Sequence, residues 1–347
     1  MRRKRRKPAA PPHPPLIRSS PPPRREGIAM SVAARRLHAV LGAGPAGTTL
    51  AAELARRGHA VRLVSRSAPD GTPDGVQGCA ADVSSPVEAL AAVEGADVVY
   101  HCVNVAYHLQ TEVMPRVQQA VLDAVETTGA RLVVLDTLYP YGQTQGEVMT
   151  EETPWRATSR KGVMRAQLDE AYLAAHRAGR ARVVLGRSAD FVGPGVLNST
   201  LGGAVFPAAL TGGEALALGD IDLPHSYTAI QDVAKGLATL GEDPAGDGRV
   251  WHLPTAPART TREIHSMIEE RVGSPLRRVI LTEPRPFGPF DATFMNEYAE
   301  MFYQHTEPQI VDSSAFERAF GLRPAPLEAT LDATLDWYRT LVAGARN

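Results

Sequence analysis

The chain has 347 residues, 44% hydrophobic and 22% charged, an ordinary balance for a globular protein and enough for one large α/β domain with an added lobe. Its net charge of −1 hides an asymmetry, since residues 1–30 carry nine Lys/Arg against one acid and the remainder carries 28 against 37. A mildly acidic body gives no ground for nucleic-acid binding, no apolar run approaches the ~18 residues of a membrane span, and two cysteines make neither a disulfide framework nor a zinc cluster.

In chain order, residues 1–30 come first as a basic, proline-rich tail that is expected to be disordered and partly extended. Its run Arg2 to Lys7 suits a basic arm on anionic surfaces. A start of translation at Met30 is the preferred alternative, because the folded pattern begins a few residues later and uses nothing before it. No apolar segment of a signal peptide follows the charges, so a cytoplasmic location is the expectation.

Leu37–Leu41 predicts a strand, 48–57 a helix with Leu50 and Leu54 on one face and Gly58 as its stop, and 60–64 a second strand. A third strand precedes Asp82, and apolar runs at 97–103, 131–135 and 181–185 continue the alternation with helices. Such alternation predicts a doubly wound parallel sheet covered on both faces, which the nearly continuous apolar character of the strands requires. Cys102 falls inside the 97–103 run and is expected to be a buried structural thiol. After Asp190 the pattern loosens at Gly193-Pro194-Gly195, and a smaller mixed lobe is expected, closing with a helix over about 327–342.

Between the first strand and helix stands Gly42-Ala43-Gly44-Pro45-Ala46-Gly47. A G-x-G-x-x-G run in strand–loop–helix context is the phosphate loop of a Rossmann-type dinucleotide site. Gly42 makes the tight turn, Gly44 admits the diphosphate, Gly47 allows close helix–strand packing, and Pro45 suits the first helical turn. The helix N-terminus then offers free N–H groups and partial positive charge. After the second strand the sequence reads Ser65-Arg66-Ser67 with no carboxylate for a ribose 2′-hydroxyl, so Arg66 with Ser65 predicts NADP in preference to NAD. Asp82-Val83 after the third strand is placed to border the adenine, with a turn-capping Asp as the plain alternative. On this reading 36–190 is the dinucleotide-binding domain, 226–252 returns to it, and 191–225 with 253–342 is the substrate-binding lobe.

Later segments extend the pattern: Asp136-Thr137-Leu138-Tyr139-Pro140-Tyr141-Gly142, then Arg187 to Gly195, then His225 to Ala234, then Leu331 to Tyr338. With the glycine loop, these make the chain resemble the extended short-chain dehydrogenases/reductases, the NAD-dependent epimerase/dehydratase family, over most of residues 37–340. The resemblance implies a nicotinamide cofactor and a Thr137 that hydrogen-bonds the substrate oxygen. It also implies a Tyr-x-x-x-Lys helix motif, and here the chain departs from the pattern, with Lys161 in the place of Tyr and Arg165 in the place of Lys. Asp169 falls near an acidic position common in that family, and Met114-Pro115 lies near the place of an Asn often found there. The departure marks an atypical branch. A homodimer through long helices on one sheet face is common in that family, and the sequence leaves the oligomeric state open.

Two routes would preserve the chemistry. Lys161 and Arg165 share a helix face, and like charge with burial would tune Lys161 toward a neutral base while Arg165 holds the ribose. Alternatively Tyr139, or Tyr141 if it is not merely the packing residue of its turn, supplies the proton from the carboxyl end of a strand. Asn104 and His108 follow the fourth strand near the expected nicotinamide, Arg187 and Ser188 follow the sixth beside the expected carboxamide, and His225 and Tyr227 are placed to line the substrate cleft. The ten histidines show no ligand spacing, so no metal site is expected. The leading functional reading is an NAD(P)-dependent oxidoreductase, epimerase or dehydratase acting on a secondary alcohol or ketone, such as a nucleotide-linked sugar or a small metabolite. The alternatives are a catalytically silent NADP-binding redox sensor or scaffold and, disfavoured by the absent acid at 65–66, a flavoprotein.

Overall fold

The computed structural model describes residues 36–344 apart from Asp70 and Pro289, so the expectations for the 1–30 tail lie outside the described residues. Seven strands make the central sheet: β1 (Leu37–Leu41), β2 (Ala60–Ser65), β3 (Val76–Ala80), β4 (Val98–His101), β5 (Arg131–Thr137), β6 (Arg182–Ser188) and β7 (Val250–His252). Every neighbouring pair is parallel, in the order β7-β6-β5-β4-β1-β2-β3. The chain therefore winds outward from β1 in one direction to β3, then from β4 in the other. The reversal between β1 and β4 opens a crevice at the carboxyl ends of those strands.

Successive strand residues point to opposite faces, and both faces are apolar. On one side Val40, Leu63, Tyr100, Val133 and Val184 pack against Leu50 and Leu54 of α1 (Pro45–Arg56) and Val233 and Leu237 of α5 (Ile230–Glu242). On the other, Leu41, Val99, Leu132 and Val183 meet α2 (Pro86–Val93), α3 (Gln110–Thr128) and α4 (Arg160–Arg177), through Val93, Val121 and Tyr172 among others. The sheet is thus buried as a central layer between two helical layers, which is the expected Rossmann-like architecture. Segment 226–252 contributes α5 and β7 to it, with Val250 opposite Leu185.

Outside the sheet, Asp190–Val192 pairs with Tyr227–Ala229 and Glu214–Leu218 with Arg277–Leu281, both parallel, while Pro224–His225 runs antiparallel to Arg259–Thr260. These short ribbons and the helix Leu327–Gly344 enclose two further apolar clusters, one around Phe206, Ile264, Leu335 and Tyr338, the other around Leu218, Met295 and Met301.

Several boundaries differ from the sequence reading, among them that of β6, which runs on to Ser188 and so holds Arg187 and Ser188 within the strand instead of after it. The first helix begins at Pro45 rather than 48, because proline's fixed φ already suits a first turn and its missing N–H would be unpaired there anyway. The fourth strand stops at His101, which leaves Cys102 half-buried beyond its end instead of inside it. There the Cys102 backbone passes so close to Gly42 that a Cβ on Gly42 would lie 2.8 Å from the Cys102 carbonyl carbon.

Candidate functional site

The phosphate loop has the geometry that its glycines require. Gly42 adopts φ +103°, and its N–H donates to the Val64 carbonyl at 2.8 Å, tying the loop to β2. A Cβ on Gly47 would stand 1.8 Å from the Gly42 carbonyl oxygen, so only glycine permits this approach of helix to loop. A Cβ on Gly44, by contrast, would meet nothing within 4 Å among the described residues, so this face of the loop is open. Gly44 is the N-cap of α1 and no side chain caps the helix, which leaves the N–H groups of Ala46 and Gly47 directed outward with the positive end of the helix dipole behind them.

At the end of β2, Arg66 and Ser67 are exposed, and the Ser65 hydroxyl donates to the Ser67 carbonyl. Asp82 accepts from the Ser84 N–H at 3.0 Å and from the Ser84 hydroxyl at 2.7 Å, a turn-capping pattern that holds its carboxyl below the usual range. Val83 is a correction: it is 6% exposed and packs into the core under β2 and α2, where burial takes its side chain away from a ligand.

Across the crevice at the end of β4, Asn104 is exposed and its side-chain oxygen accepts from Gln110 at 3.1 Å and from Arg165 Nη2 at 3.2 Å. Arg165 is 6% exposed, and its Nε finds no partner among the described residues. A buried guanidinium N–H left unpaired is costly and marks a place where a hydroxyl or phosphate oxygen would be accommodated. His101 stands beside it with its ring pKa lowered to about 3, by burial first and by the Arg165 charge second. His108 is exposed on the short turn Tyr107–Leu109 that leads into α3.

At the end of β5, Thr137 is half-buried and its hydroxyl accepts weakly from the Tyr139 N–H at 3.4 Å. The Tyr139 hydroxyl meets the Tyr107 hydroxyl at 2.5 Å, and the Lys161 ammonium lies 5.1 Å from the centre of the Tyr107 ring. Lys161 is fully buried and donates to Glu297 Oε2 at 2.6 Å, to Glu300 Oε1 at 2.8 Å and to the Glu297 carbonyl at 3.1 Å. Glu297 belongs to α6 (Ala292–Tyr298) and Glu300 to the turn Ala299–His305 that follows. Three acceptors match the three hydrogens of an ammonium, one more than a neutral amine carries. The expectation of a neutral Lys161 base is corrected on that ground. Lys161 and Arg165 do share a face of α4, but their charged ends go to different partners, the lysine to carboxylates and the arginine to an amide.

Two other expected site residues are turned inward. Tyr141 is 1% exposed and its hydroxyl donates to His252 Nε2 at 2.6 Å, a direction fixed by the bond of 2.9 Å from His252 Nδ1 to the Asp312 carbonyl, which can only accept. It is the packing residue of its turn. Arg187 is fully buried, with Nε on Asp136 at 2.6 Å, Nη2 on Asp169 at 2.7 Å, and its guanidinium over the rings of Tyr141 and Trp155. It joins β5, β6 and α4 instead of holding a carboxamide, because two carboxylates in a dry interior claim it first. Ser188 beside it is 5% exposed and donates to the Ala189 carbonyl.

Facing β5 and β6 from the lobe, Asp190 Oδ2 takes a hydrogen bond from His225 Nε2 at 3.1 Å. The His225 ring stacks on His305 at 5.5 Å and lies 4.8 Å from the ring of Tyr227. His305 Nε2 bonds the Tyr298 hydroxyl at 2.6 Å, and the Tyr298 ring lies 5.6 Å from that of Tyr107. One continuous polar wall therefore runs from Lys161 through Tyr107, Tyr298 and His305 to Asp190. Tyr107, Tyr298, His305, Glu297 and Glu300 were not singled out by sequence reasoning. Apart from the Tyr298–His305 pair, their partners lie far away in the chain and in no short motif, and the one local sign was the aromatic density of 287–303. Among the described residues no group of His, Cys, Asp and Glu is placed to hold a metal ion.

Sheet order and phosphate loop together define a Rossmann-like protein. The chain belongs to the NAD dependent epimerase/dehydratase family, which matches residues 39–253. Among solved structures it is similar to an epimerase from Methanothermobacter thermautotrophicus, with 18% identity, TM-score 0.75, and coverage of 89% of this chain and 95% of that one. It is also similar to the dTDP-glucose 4,6-dehydratase of Streptomyces venezuelae with NAD and TYD bound, with 19% identity, TM-score 0.73, and coverage of 88% and 97%. A third is the UDP-glucose 4-epimerase of Bifidobacterium longum in complex with NAD+ and UDP, with 18% identity, TM-score 0.72, and coverage of 88% and 98%. At such identities these likenesses show the fold. No curated protein matches the chain.

Proposed function

We propose that the protein is an NAD(P)-dependent oxidoreductase, epimerase or dehydratase of the extended short-chain type, acting on a secondary alcohol or ketone. The observation that carries this reading is the uncapped N-terminus of α1 at the reversal of strand order, open at Gly44 and closed tight at Gly47. The residues present fit a dinucleotide: Ala46 and Gly47 offer N–H groups to a diphosphate, and the unpaired Nε of Arg165 beside Asn104 offers a donor to a ribose hydroxyl. Exposed Arg66 would take a 2′-phosphate, which favours NADP, and Asp82 would border the adenine. A bound nicotinamide supplies the hydride acceptor or donor.

The protein's part is to hold the substrate oxygen and move its proton. Thr137 orients that oxygen. Tyr139 gives its phenolic proton to the substrate oxygen as hydride reaches the carbon, and the phenolate so formed is what recovers that proton when the reaction runs back. Burial pushes the Tyr139 hydroxyl up to about 12, with the Tyr107 hydrogen bond and the Arg165 charge pulling the other way, so it stands ready as an acid. Nucleotide-linked sugars, named for the Streptomyces and Bifidobacterium neighbours, are one class of such substrate.

A second reading, an NADP-binding sensor without turnover, draws on the lock on Lys161 where the family motif has its tyrosine. A homodimer is part of the proposal, with the outer face of α4 as the contact, where exposed Val163 stands beside Ala166, Ala171 and Ala174. The test is a titration of wild type, Arg66→Ala and Tyr139→Phe with NADP and NAD, followed by a turnover screen with alcohols and ketones. Arg66→Ala should weaken NADP at least about tenfold and leave NAD unchanged. Tyr139→Phe should keep NADP binding and lose about 100-fold or more in turnover. Tight NADP binding with no hydride exchange in wild type would support the sensor.

A further inference from the structure

Resting on the reading of Tyr139 as the acid of this crevice, we propose that Tyr107 is a positioning residue for the proton transfer: its hydroxyl donates to the Tyr139 oxygen, which aims the Tyr139 proton at the substrate and keeps a donor on the phenolate left behind. The two hydroxyl oxygens stand 2.5 Å apart, and each carries a single hydrogen. One of those hydrogens lies between the oxygens. If Tyr139 supplied it, none would remain for a substrate, so a Tyr139 that acts as the acid has to accept from Tyr107. When Tyr139 gives up its proton, its O–H bond breaks, the O–H bond of the product alcohol forms, and the electron pair stays on the Tyr139 oxygen. The bond from Tyr107 is then made to an anion and is stronger for it.

The surroundings hold Tyr107 for this task. It opens the short turn Tyr107–Leu109, and its ring packs on Phe294 at 5.2 Å and on Tyr298 at 5.6 Å, both from α6. The Lys161 ammonium lies 5.1 Å from the ring centre and is itself fixed by Glu297 and Glu300. The lysine that stands in the place of the family's tyrosine therefore clamps the ring of the tyrosine that supports Tyr139. Other titratable groups face the pair: Arg165 of α4, Asp190 past β6, and Tyr298 and Tyr303 of the segment 292–305. Burial raises both phenols, and Asp190 adds to the rise in each. The bond between them raises Tyr107 and lowers Tyr139, and Arg165 lowers Tyr139 further, so Tyr139 is the phenol that ionises first.

The experiment places difluorotyrosine, whose phenol ionises at lower pH than that of tyrosine, at position 139. Fluorine NMR then follows its titration in the otherwise wild-type protein and in Tyr107→Phe. The proposal expects Tyr107→Phe to move the titration up by about one pH unit, a tenfold loss of acidity, because a hydrogen bond to a charged group is removed. The variant keeps the ring and its packing, so a merely structural Tyr107 predicts no shift, and an unmoved or lowered titration would overturn the proposal. A second measurement needs no deletion. Difluorotyrosine at position 107 should titrate at higher pH than at position 139, and the reverse order would also overturn it. On a ketone that wild type reduces, Tyr107→Phe should lose about threefold or more in kcat with KM unchanged, and an unchanged kcat would contradict the role. NADP titration of the same proteins reports separately on the crevice. An upward shift in a protein that binds no NADP would overturn the proposed function and leave the Tyr107–Tyr139 pair standing.

Discussion

At the level of single residues, the molecule is most sensitive where backbone meets backbone. Gly47→Ala would push a methyl to 1.8 Å from the Gly42 oxygen, so loop or helix must move. Overpacking of this kind costs about 1–3 kcal/mol. Gly44→Ala meets open space and should leave stability alone. The expected pair of results is a lowered melting temperature with lost NADP binding for Gly47→Ala, and an unchanged melting temperature with weakened NADP binding for Gly44→Ala. Thermal melts and calorimetry check both, and equal effects of the two variants would contradict the geometry. The same scale shows why the loop was legible in the sequence. Its tightest contact, Gly47 on the Gly42 oxygen, joins residues five apart, so spacing records it. Arg187 shows the opposite case. Its place near the carboxyl end of β6 suggested a ligand contact, but its fate is decided by Asp136 and Asp169, 51 and 18 residues earlier in the chain.

Among the elements, α4 carries the departure from the family motif. It is fastened at one end by Lys161 to Glu297 and Glu300, and in the middle by Asp169 to Arg187 on β6. Lys161 therefore ties the Rossmann-like sheet layer to the segment 292–305. Lys161→Met removes the cation and leaves two carboxylates facing an apolar side chain, a change worth about 3–5 kcal/mol when a buried pair is broken. The account predicts a lower urea midpoint for Lys161→Met and a partial recovery on adding Glu297→Gln and Glu300→Gln. An unchanged midpoint with abolished turnover would return the lysine to the chemistry. The resemblance to the family's helix motif placed Lys161 and Arg165 four apart on one face, but a local motif says nothing of partners 136 residues away. The strands were legible for a related reason, since a sheet covered on both faces needs unbroken apolar runs. The ribbons after Asp190 are two to five residues long and leave no such pattern.

At the scale of the whole molecule, the described residues include five buried histidines whose pKa values burial lowers, His38, His101 and His305 to about 3, His252 and His265 to about 4. Unfolded, each takes a proton near pH 6.5. As pH falls below that value the unfolded chain gains protons that the folded state refuses, so stability drops with pH until the folded values are reached. Each group contributes about 1.4 kcal/mol per pH unit across that window. The carboxylates of Asp190 and Glu242, held below their ordinary range by hydrogen bonds that outweigh burial, add a further loss only at lower pH, as the pH falls from the ordinary carboxylate range through their folded values. Urea midpoints should therefore fall steadily from pH 7 to pH 5, and a flat profile across that interval would show that these rings are not buried as described.

The claim on which the rest stands is that the head of α1 grips a diphosphate, and a crystal structure grown with NADP tests it most directly. The account predicts diphosphate density within hydrogen-bonding distance of the Ala46 and Gly47 N–H groups, with the 2′-phosphate at Arg66. Density seated elsewhere, or a loop 42–47 with no nucleotide against it at saturating NADP, would contradict it.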